Sequence, residues 1–307
     1  RGKWQEEDYT LQLFGGVELS SLENDLLGIL RKHYAPLFQQ LNAYASRYAR
    51  FIDPDVMEFG RELQFYIACL QTGQFLQREG LSFSIPTITE RKEVRIKSGY
   101  DLSLALSKQH AGLPVIPNDF DMESGERLFV ITGPNQGGKT TFLRAIGQIL
   151  HLASIGCPVP CESAELCVFD RLFTHFPAEE QSGMDTGRLK EELIRLKDIL
   201  DKATADSVVL FNELFSTTST HDALAMGSET MRMLDRRGTA CLYVTHLVEL
   251  ASVTAETVSL VAGVDSEDPS VRTYRIQRRE ADGQAYASSI VEKYGLTLAG
   301  IRERMGR

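Results

Sequence analysis

No run of eighteen apolar residues occurs in the sequence, and its first ten residues, RGKWQEEDYT, are polar. A membrane-spanning helix needs about 20 apolar residues, and a signal peptide needs an apolar stretch behind a basic start. The sequence argues against both, and we expect a cytoplasmic protein without a membrane partner. Because the first residue is Arg rather than Met, we also expect the chain to be a fragment of a longer protein.

Acidic residues outnumber basic ones, 42 to 33, and cysteine is scarce. The net charge of −9 argues against a dedicated nucleic-acid domain within this chain, although it leaves room for a local basic face. Five cysteines without CxxC pairs favour reduced thiols over a disulfide framework. Cys157, Cys161 and Cys167 cluster, but a fourth metal ligand is missing. Their apolar flanks favour buried thiols, with a metal site as the alternative.

Helical periodicity fills the first 80 residues. Apolar residues recur at three- and four-residue spacing over residues 20–51, and Pro36 predicts a break because proline removes a helix hydrogen bond. Asp53 and Pro54 form a helix start, and this second helix should end near residue 79. Six of its apolar residues should pack on the first helix in an antiparallel hairpin: Val56, Phe59, Leu63, Tyr66, Ile67 and Leu70. We assign residues 1–80 to this hairpin.

Strands and helices alternate in the rest of the chain, after short extended runs at residues 83–88 and 93–96. Candidate strands cover residues 128–131, 165–176, 207–211, 240–244, 257–264 and 271–277, and candidate helices cover residues 139–154, 187–202, 223–234 and 286–294. This alternation predicts an α/β fold with a mainly parallel sheet, flanking helices and ligands at the carboxyl ends of the strands. We assign residues 81–307 to this domain.

The stretch Val130–Arg144 reads VITGPNQGGKTTFLR and fits the GxxxxGK[ST] pattern of a phosphate-binding loop between an apolar strand and a helix. Glycines let backbone N–H groups face phosphate, and the helix N-terminus adds partial positive charge. Lys139 should reach the β- and γ-phosphates of ATP, and Thr140 should bind Mg²⁺. We expect nucleotide contacts along the whole loop: Gly133, Pro134, Asn135, Gln136, Gly137, Gly138, Lys139, Thr140 and Thr141.

The apolar strand Ser207–Phe211 delivers Asn212 and Glu213 to the same sheet edge as this loop. At this position an Asp usually orients Mg²⁺ or its waters, and the next Glu aligns and activates the attacking water. Asn212 replaces the Asp, so we expect Mg²⁺ to be held through water, with weaker affinity and slower turnover. Glu213 is the expected catalytic base.

Two further candidates follow Glu213 along the chain. His246 comes after the strand 240–244, where a neighbouring strand end would meet the γ-phosphate, so we expect a sensor there. The alternative is a purely structural histidine. The hydroxyl-rich segment Ser216–Asp222 fits either helix capping, with Asp222 as the N-cap, or contact with a second subunit.

Four segments resemble the ATPase domain of the MutS family of mismatch-repair proteins: GPNQGGKTT (133–141), DRLFTHF (170–176), FNELFSTTSTHDA (211–223) and VTHLVELA (244–251). The resemblance covers residues 115–307, with IPND (116–119) and a closing segment at 283–295. The helices of residues 20–80 resemble the lever before that domain. The resemblance implies a P-loop NTPase with an ABC-like sheet that binds ATP and Mg²⁺, hydrolyses ATP, acts on DNA and forms a homodimer whose nucleotide state moves the lever.

The resemblance also implies roles for individual residues. Asn135, Gly138, Lys139 and Thr140 would bind phosphate and Mg²⁺, while Glu213 activates water and His246 senses the γ-phosphate. Val115 occupies a place where an aromatic residue would stack on adenine. The dimer interface would contain Thr218, Ser219, Thr220, His221 and Asp222.

The sequence departs from the MutS pattern in several places. Asn212 resembles a divergent subgroup, and the segment Gln181–Arg188 aligns poorly with the serine-rich signature loop. The turn at residues 50–54 leaves no room for a DNA-clamp insertion, and these 307 residues contain no mismatch-reading domain. A nucleotide-gated dimeric scaffold with little hydrolysis is therefore the alternative to an ATPase acting on DNA. The missing LSGGQ-type signature disfavours a transporter ATPase.

Overall fold

The computed structural model describes residues 21–48, 52–110, 113–177, 185–268 and 271–281. The chain divides into two compact units, Arg1–Gln64 and Phe65–Arg307. The domain boundary at residue 80 stays a prediction. None of the helices within the described ranges combines the length and apolar character that crossing a bilayer requires.

Three helices come first: α1 (Ser21–His33), α2 (Ala35–Tyr48) and α3 (Pro54–Arg78). The predicted break next to Pro36 is confirmed, since Tyr34 separates α1 from α2 and Pro36 lies in the first turn of α2, where it is tolerated. The predicted start of α3 is confirmed as well. Asp53 caps it, because its Oδ1 accepts the N–H of Asp55 at 2.9 Å.

The apolar stripe of α3 is exposed. The exposed fractions of its six residues run from 40% at Tyr66 to 62% at Phe59. Helix α2 also buries none of its residues. The prediction that the stripe packs on the first helix is therefore wrong for the described residues, because helical periodicity identifies the apolar face of a helix but not what covers it.

Ten strands lie in the described residues: β1 (Thr87–Thr89), β2 (Val94–Gly99), β3 (Asn118–Met122), β4 (Leu128–Thr132), β5 (Ser163–Cys167), β6 (Leu172–His175), β7 (Val208–Asn212), β8 (Ala240–Val244), β9 (Val258–Val264) and β10 (Arg272–Arg278). The larger sheet has the order β10-β9-β4-β8-β7-β6. All its pairs are parallel except β10 with β9, so the mainly parallel sheet is confirmed. Strands β4, β7 and β8 are buried along their whole length.

The second sheet has four strands in the order β1-β5-β2-β3. The single strand predicted over residues 165–176 is wrong, since β5 belongs to this sheet and β6 to the larger one. The chain turns between β5 and β6 because the Asp170 side chain is hydrogen-bonded to the turn that immediately precedes β7. Its carboxylate accepts hydrogen bonds from Ser207 Oγ at 2.6 Å and Thr204 Oγ1 at 2.8 Å.

Four further helices and a 3-10 helix complete the described residues: α4 (Leu102–His110), α5 (Lys139–Ser154), α6 (Asp185–Lys202), α7 (Thr220–Arg237) and the 3-10 helix Val248–Ser252. One apolar core packs α5 between the larger sheet and the second sheet. Another packs α6 and α7 against the opposite face of the larger sheet. The predicted flanking helices are confirmed, except that residues 286–294 lie outside the described part. Cys157, Cys161 and Cys167 are free and buried, as predicted.

Candidate functional site

The glycine-rich loop, residues 133–138, connects the buried strand β4 to α5 at the carboxyl edge of the larger sheet. Gly138 is the N-cap of α5 with φ 91°, in the left-handed region that a glycine adopts without strain. A side chain at Gly137 would lie 2.9 Å from the carbonyl oxygen of Pro134, so the loop closes tightly there. The backbone is therefore shaped for close approach by a ligand at the N-terminus of a sixteen-residue helix.

Lys139 is buried inside this loop, with 5% of its surface exposed. Its Nζ donates hydrogen bonds to the carbonyl oxygens of Gly133 at 2.8 Å and Pro134 at 2.9 Å. Burial lowers the pKa of this ammonium, while the nearby Glu213 carboxylate opposes that shift. The loop thus holds one cation at its centre.

Thr140 and Asn212 join the loop to the end of β7. The Thr140 hydroxyl donates to Asn212 Oδ1 at 2.9 Å. Both side chains bring neutral oxygens to one point, and neither contributes a negative charge there. Within the described residues, no group of three or more His, Cys, Asp and Glu side chains could hold a metal.

Glu213 and His246 meet across the ends of β7 and β8. Glu213 Oε1 and His246 Nε2 are 3.0 Å apart, and the Glu213 N–H donates to the carbonyl of Val244 at 2.8 Å. The hydrogen bond from His246, aided by the charges of His246 and Lys139, lowers the pKa of Glu213 against the opposing effect of burial. A carboxylate kept ionised and oriented in this way can accept a proton from water.

A cleft of about 340 Å³ opens beside the loop, lined by residues 135–142 and by Asp101, Lys108, Ile116, Asn118, Glu213 and Tyr274. Val115 packs against the small cluster of Leu76, Tyr100 and Ala105, whereas the next residue, Ile116, lines the cleft. The contact of Val115 with adenine stays a prediction.

The Asn118 side chain holds Tyr274, which lines one wall of the cleft. Its Nδ2 donates to the carbonyl of Tyr274 at 3.0 Å and its Oδ1 accepts the N–H of Ile276 at 2.8 Å, at an irregularity in β10. Tyr274 itself has φ 57°. No contact at Tyr274 was predicted, because no local pattern in the sequence indicates a contact across more than 150 residues.

Asp101 and Arg144 form a second missed pair at the cleft. Arg144 Nε donates to Asp101 Oδ2 at 2.8 Å, and Asp101 Oδ1 accepts the N–H of Leu104 at 2.7 Å. The carboxylate therefore caps α4 and ties it to α5. An Asp ahead of the run LSLALSKQH was the available signal for that cap.

The segment from Ser216 to Asp222 leads into α7. The N-cap is Ser219, whose Oγ accepts the N–H of Asp222 at 3.2 Å, so the assignment of the cap to Asp222 is wrong. An Asp at the third helical position complements a Ser cap. In the poorly aligned segment, residues 181–184 lie outside the described part and residues 185–188 begin α6.

This fold and site define a mixed α/β protein with a glycine-rich loop at the edge of a mainly parallel sheet. The family model of MutS domain V matches residues 129–301. The chain belongs to the MutS family. MutS domain V belongs to a family of ATPases.

Relatives from several bacteria agree with this family. The chain is 30% identical over 261 residues to the DNA mismatch repair protein MutS of Lactobacillus delbrueckii subsp. bulgaricus, covering 81% of this chain and 29% of the relative. It is 28% identical over 305 residues to the same protein of Bacillus cytotoxicus, covering 97% and 31%. It is 35% identical over 196 residues to Endonuclease MutS2 of Gemmatimonas aurantiaca, covering 62% and 24%. The chain thus spans less than a third of the length of these curated relatives.

Proposed function

We propose that this chain binds ATP with Mg²⁺ and hydrolyses ATP slowly as part of a MutS-like protein that acts on DNA. The observation that carries the proposal is the convergence of five predicted residues at one sheet edge. Lys139 lies within the loop, Thr140 contacts Asn212 at 2.9 Å, and Glu213 contacts His246 at 3.0 Å.

The residues present fit a nucleotide. The loop curls tightly enough that a side chain at Gly137 would meet Pro134, the Lys139 ammonium lies within the loop, and the adjoining cleft measures about 340 Å³. Lys139 and the N–H groups at the start of α5 would hold phosphate oxygens. Bound Mg²⁺ would supply neutralisation of phosphate charge.

Thr140 and Asn212 would hold the metal through water. Glu213 would take a proton from the attacking water at its carboxylate oxygen, and His246 would orient that carboxylate and contact the γ-phosphate side of the site. Because Asn212 contributes no negative charge, we assign a low turnover to this site.

The wider assembly is also part of the proposal. An ABC-like domain over residues 81–307 would form a homodimer through Thr218–Asp222, and the helices of residues 1–80 would act as a lever on DNA in the cytoplasm. The DNA and mismatch-repair parts rest on the names of the relatives. Asn212 favours a second candidate, a nucleotide-gated dimeric scaffold with little hydrolysis.

Steady-state ATP hydrolysis by the purified chain with Mg²⁺ tests the proposal. It should be measured alone and with duplex, mismatched and branched DNA, at several salt concentrations, since phosphate contacts weaken with salt. Glu213→Gln should lower kcat by about 100-fold or more because it removes the base. Glu249→Gln, an exposed carboxylate of the 3-10 helix, is the matched control.

The outcomes separate the candidates. DNA-stimulated turnover that is lost in Glu213→Gln supports an ATPase acting on DNA. Nucleotide binding and dimerisation without turnover or DNA response supports the scaffold. Failure to bind nucleotide at all would refute both.

A further inference from the structure

The Asn212 side chain has a hydrogen-bonding group that its contact with Thr140 does not use. Its Oδ1 accepts the Thr140 hydroxyl at 2.9 Å, and the residue is 7% exposed. The amide also carries an Nδ2 with two N–H donors. Within the described residues, the Asn212 side chain makes no other hydrogen bond. A nearly buried N–H without an acceptor is costly, which points to an acceptor that comes from outside the protein.

The carboxylates near this amide already have partners. Among the described residues that line the cleft, two carry a carboxylate, Asp101 and Glu213. Asp101 Oδ2 accepts the Nε–H of Arg144 at 2.8 Å, and Glu213 Oε1 lies 3.0 Å from His246 Nε2. The Asn212 amide and the Thr140 hydroxyl are neutral. The cleft therefore attracts a metal ion weakly, and direct contacts to phosphate gain in importance.

The chemistry of Nδ2 limits what it can contact. Water bound to a metal ion is a hydrogen-bond donor and needs an acceptor, which the amide Oδ1 or a carboxylate offers. Nδ2 only donates, so it needs an oxygen that accepts. A phosphate oxygen is such an acceptor, and its charge makes the hydrogen bond stronger than one between neutral groups. Two ammonium groups, those of Lys108 and Lys139, line the same cleft and favour an anion there.

We propose that Asn212 Nδ2 donates a hydrogen bond directly to a phosphate oxygen of the nucleotide, so that ATP binding by this chain persists without Mg²⁺. This inference rests on the proposed function and deepens it, because it gives the amide nitrogen a role separate from that of Oδ1 beside Thr140. Lys139 and the N–H groups at the start of α5 supply further contacts to phosphate. An aspartate at position 212 cannot serve in this way, because without a metal its charge repels phosphate.

Equilibrium titration with a fluorescent ATP analogue, in Mg²⁺ and in EDTA, tests the proposal. Wild-type affinity in EDTA should stay within about tenfold of its value in Mg²⁺. Asn212→Leu keeps the approximate shape but removes the donor, whereas Asn212→Asp keeps the acceptor for the Thr140 hydroxyl and adds charge. Both variants should bind about tenfold or more weakly than wild type in EDTA, because each loses a hydrogen bond to a charged group. Asn42→Asp, at an exposed position of α2, is the control.

The metal separates the two variants and the two proposals. Adding Mg²⁺ should restore binding in Asn212→Asp, because its carboxylate attracts the ion, but not in Asn212→Leu. Wild-type binding that is present in Mg²⁺ and lost in EDTA would overturn this inference and leave the proposed function standing. The inference also fails if Asn212→Leu or Asn212→Asp binds as tightly as wild type in EDTA. If wild type binds no nucleotide even in Mg²⁺, the proposed function itself is wrong, and the role of Nδ2 is refuted with it.

Discussion

The two halves of the site differ in how closely they follow the pattern expected of them. The glycine-rich loop matches its motif at every defined position, with Lys139 hydrogen-bonded to the loop backbone and Thr140 to Asn212. The end of β7 departs from its pattern, because Asn212 stands where an acidic residue is usual, while Glu213 keeps its contact with His246. Under the proposed function, this difference predicts that nucleotide binding and nucleotide hydrolysis can be separated by mutation, with hydrolysis the weaker property.

Lys139→Ala tests the glycine-rich loop, the half of the site that follows its motif, and should have the largest effect. We expect ATP affinity to fall by about 100-fold or more, since a charge-assisted contact to phosphate is worth up to ~3 kcal/mol. Equilibrium titration with a fluorescent ATP analogue measures it. Lys197→Ala, at an exposed lysine of α6, should bind normally. Tight binding by Lys139→Ala would refute the site assignment.

Asn212→Asp tests the end of β7, the half of the site that departs from its pattern, by placing there the carboxylate that is usual at this position. We expect Mg²⁺ affinity in the presence of nucleotide to rise about tenfold, since a carboxylate attracts the ion through the intervening water. Titrating Mg²⁺ against hydrolysis rate measures both affinity and turnover. The same charge change at the exposed Asn42 of α2 is the control. If neither quantity changes, our interpretation of position 212 is wrong.

The pairing of Glu213 with His246 predicts a particular pH dependence. The lowered pKa keeps Glu213 ionised, so hydrolysis should persist to below the usual range of a glutamate. The same shift makes the stabilising contribution of Glu213 complete above its unfolded pKa, and lost as pH falls through its folded pKa. In His246→Ala the acid limb of the kcat profile should move to higher pH. An identical acid limb would contradict the pairing, and His151→Ala, at an exposed histidine of α5, serves as control.

Ser219→Ala addresses the segment for which the sequence left two roles open, and its effect should be the smallest. Loss of the N-cap of α7 should lower the free energy of unfolding by ~1 kcal/mol. Urea unfolding at several protein concentrations measures it, with Thr217→Ala at an exposed neighbour as control. A loss independent of concentration indicates capping, whereas one that grows with concentration would favour a subunit contact.

Local patterns predicted the parts of the molecule that local physics determines. The observed bounds of α5, Lys139–Ser154, equal the predicted ones, because a glycine-rich loop and a strong apolar period mark both the start and the face of that helix. The bounds of β8 were likewise predicted, and those of β7 to within one residue, from apolar runs followed by polar residues. Parallel pairing then brings Asn212 opposite Val244, and with it Glu213 near His246.

Contacts between distant segments were beyond such patterns. Asn118 and Tyr274 meet only through the tertiary fold, and so do Asp101 and Arg144. The split of residues 165–176 between two sheets depends on Asp170 bonding to Ser207, which no periodicity contains. In α3 the sequence indicated the apolar face of the helix correctly, but the burial predicted for that face was wrong.

The two hydrogen bonds from the Asn118 side chain to β10 affect the width of the cleft beside the glycine-rich loop. A strand normally holds its neighbour by a ladder of backbone hydrogen bonds, but at the irregularity of β10 the Asn118 side-chain amide donates to the carbonyl of Tyr274 and accepts from the N–H of Ile276. An aspartate there would keep the acceptor and lose the donor, and a leucine would lose both. Together with the Arg275 guanidinium, which donates to the carbonyl of Pro117 at 2.6 Å, that amide ties the wall facing the glycine-rich loop to the segment of Pro117 and Asn118, so both contacts contribute to the width of the cleft.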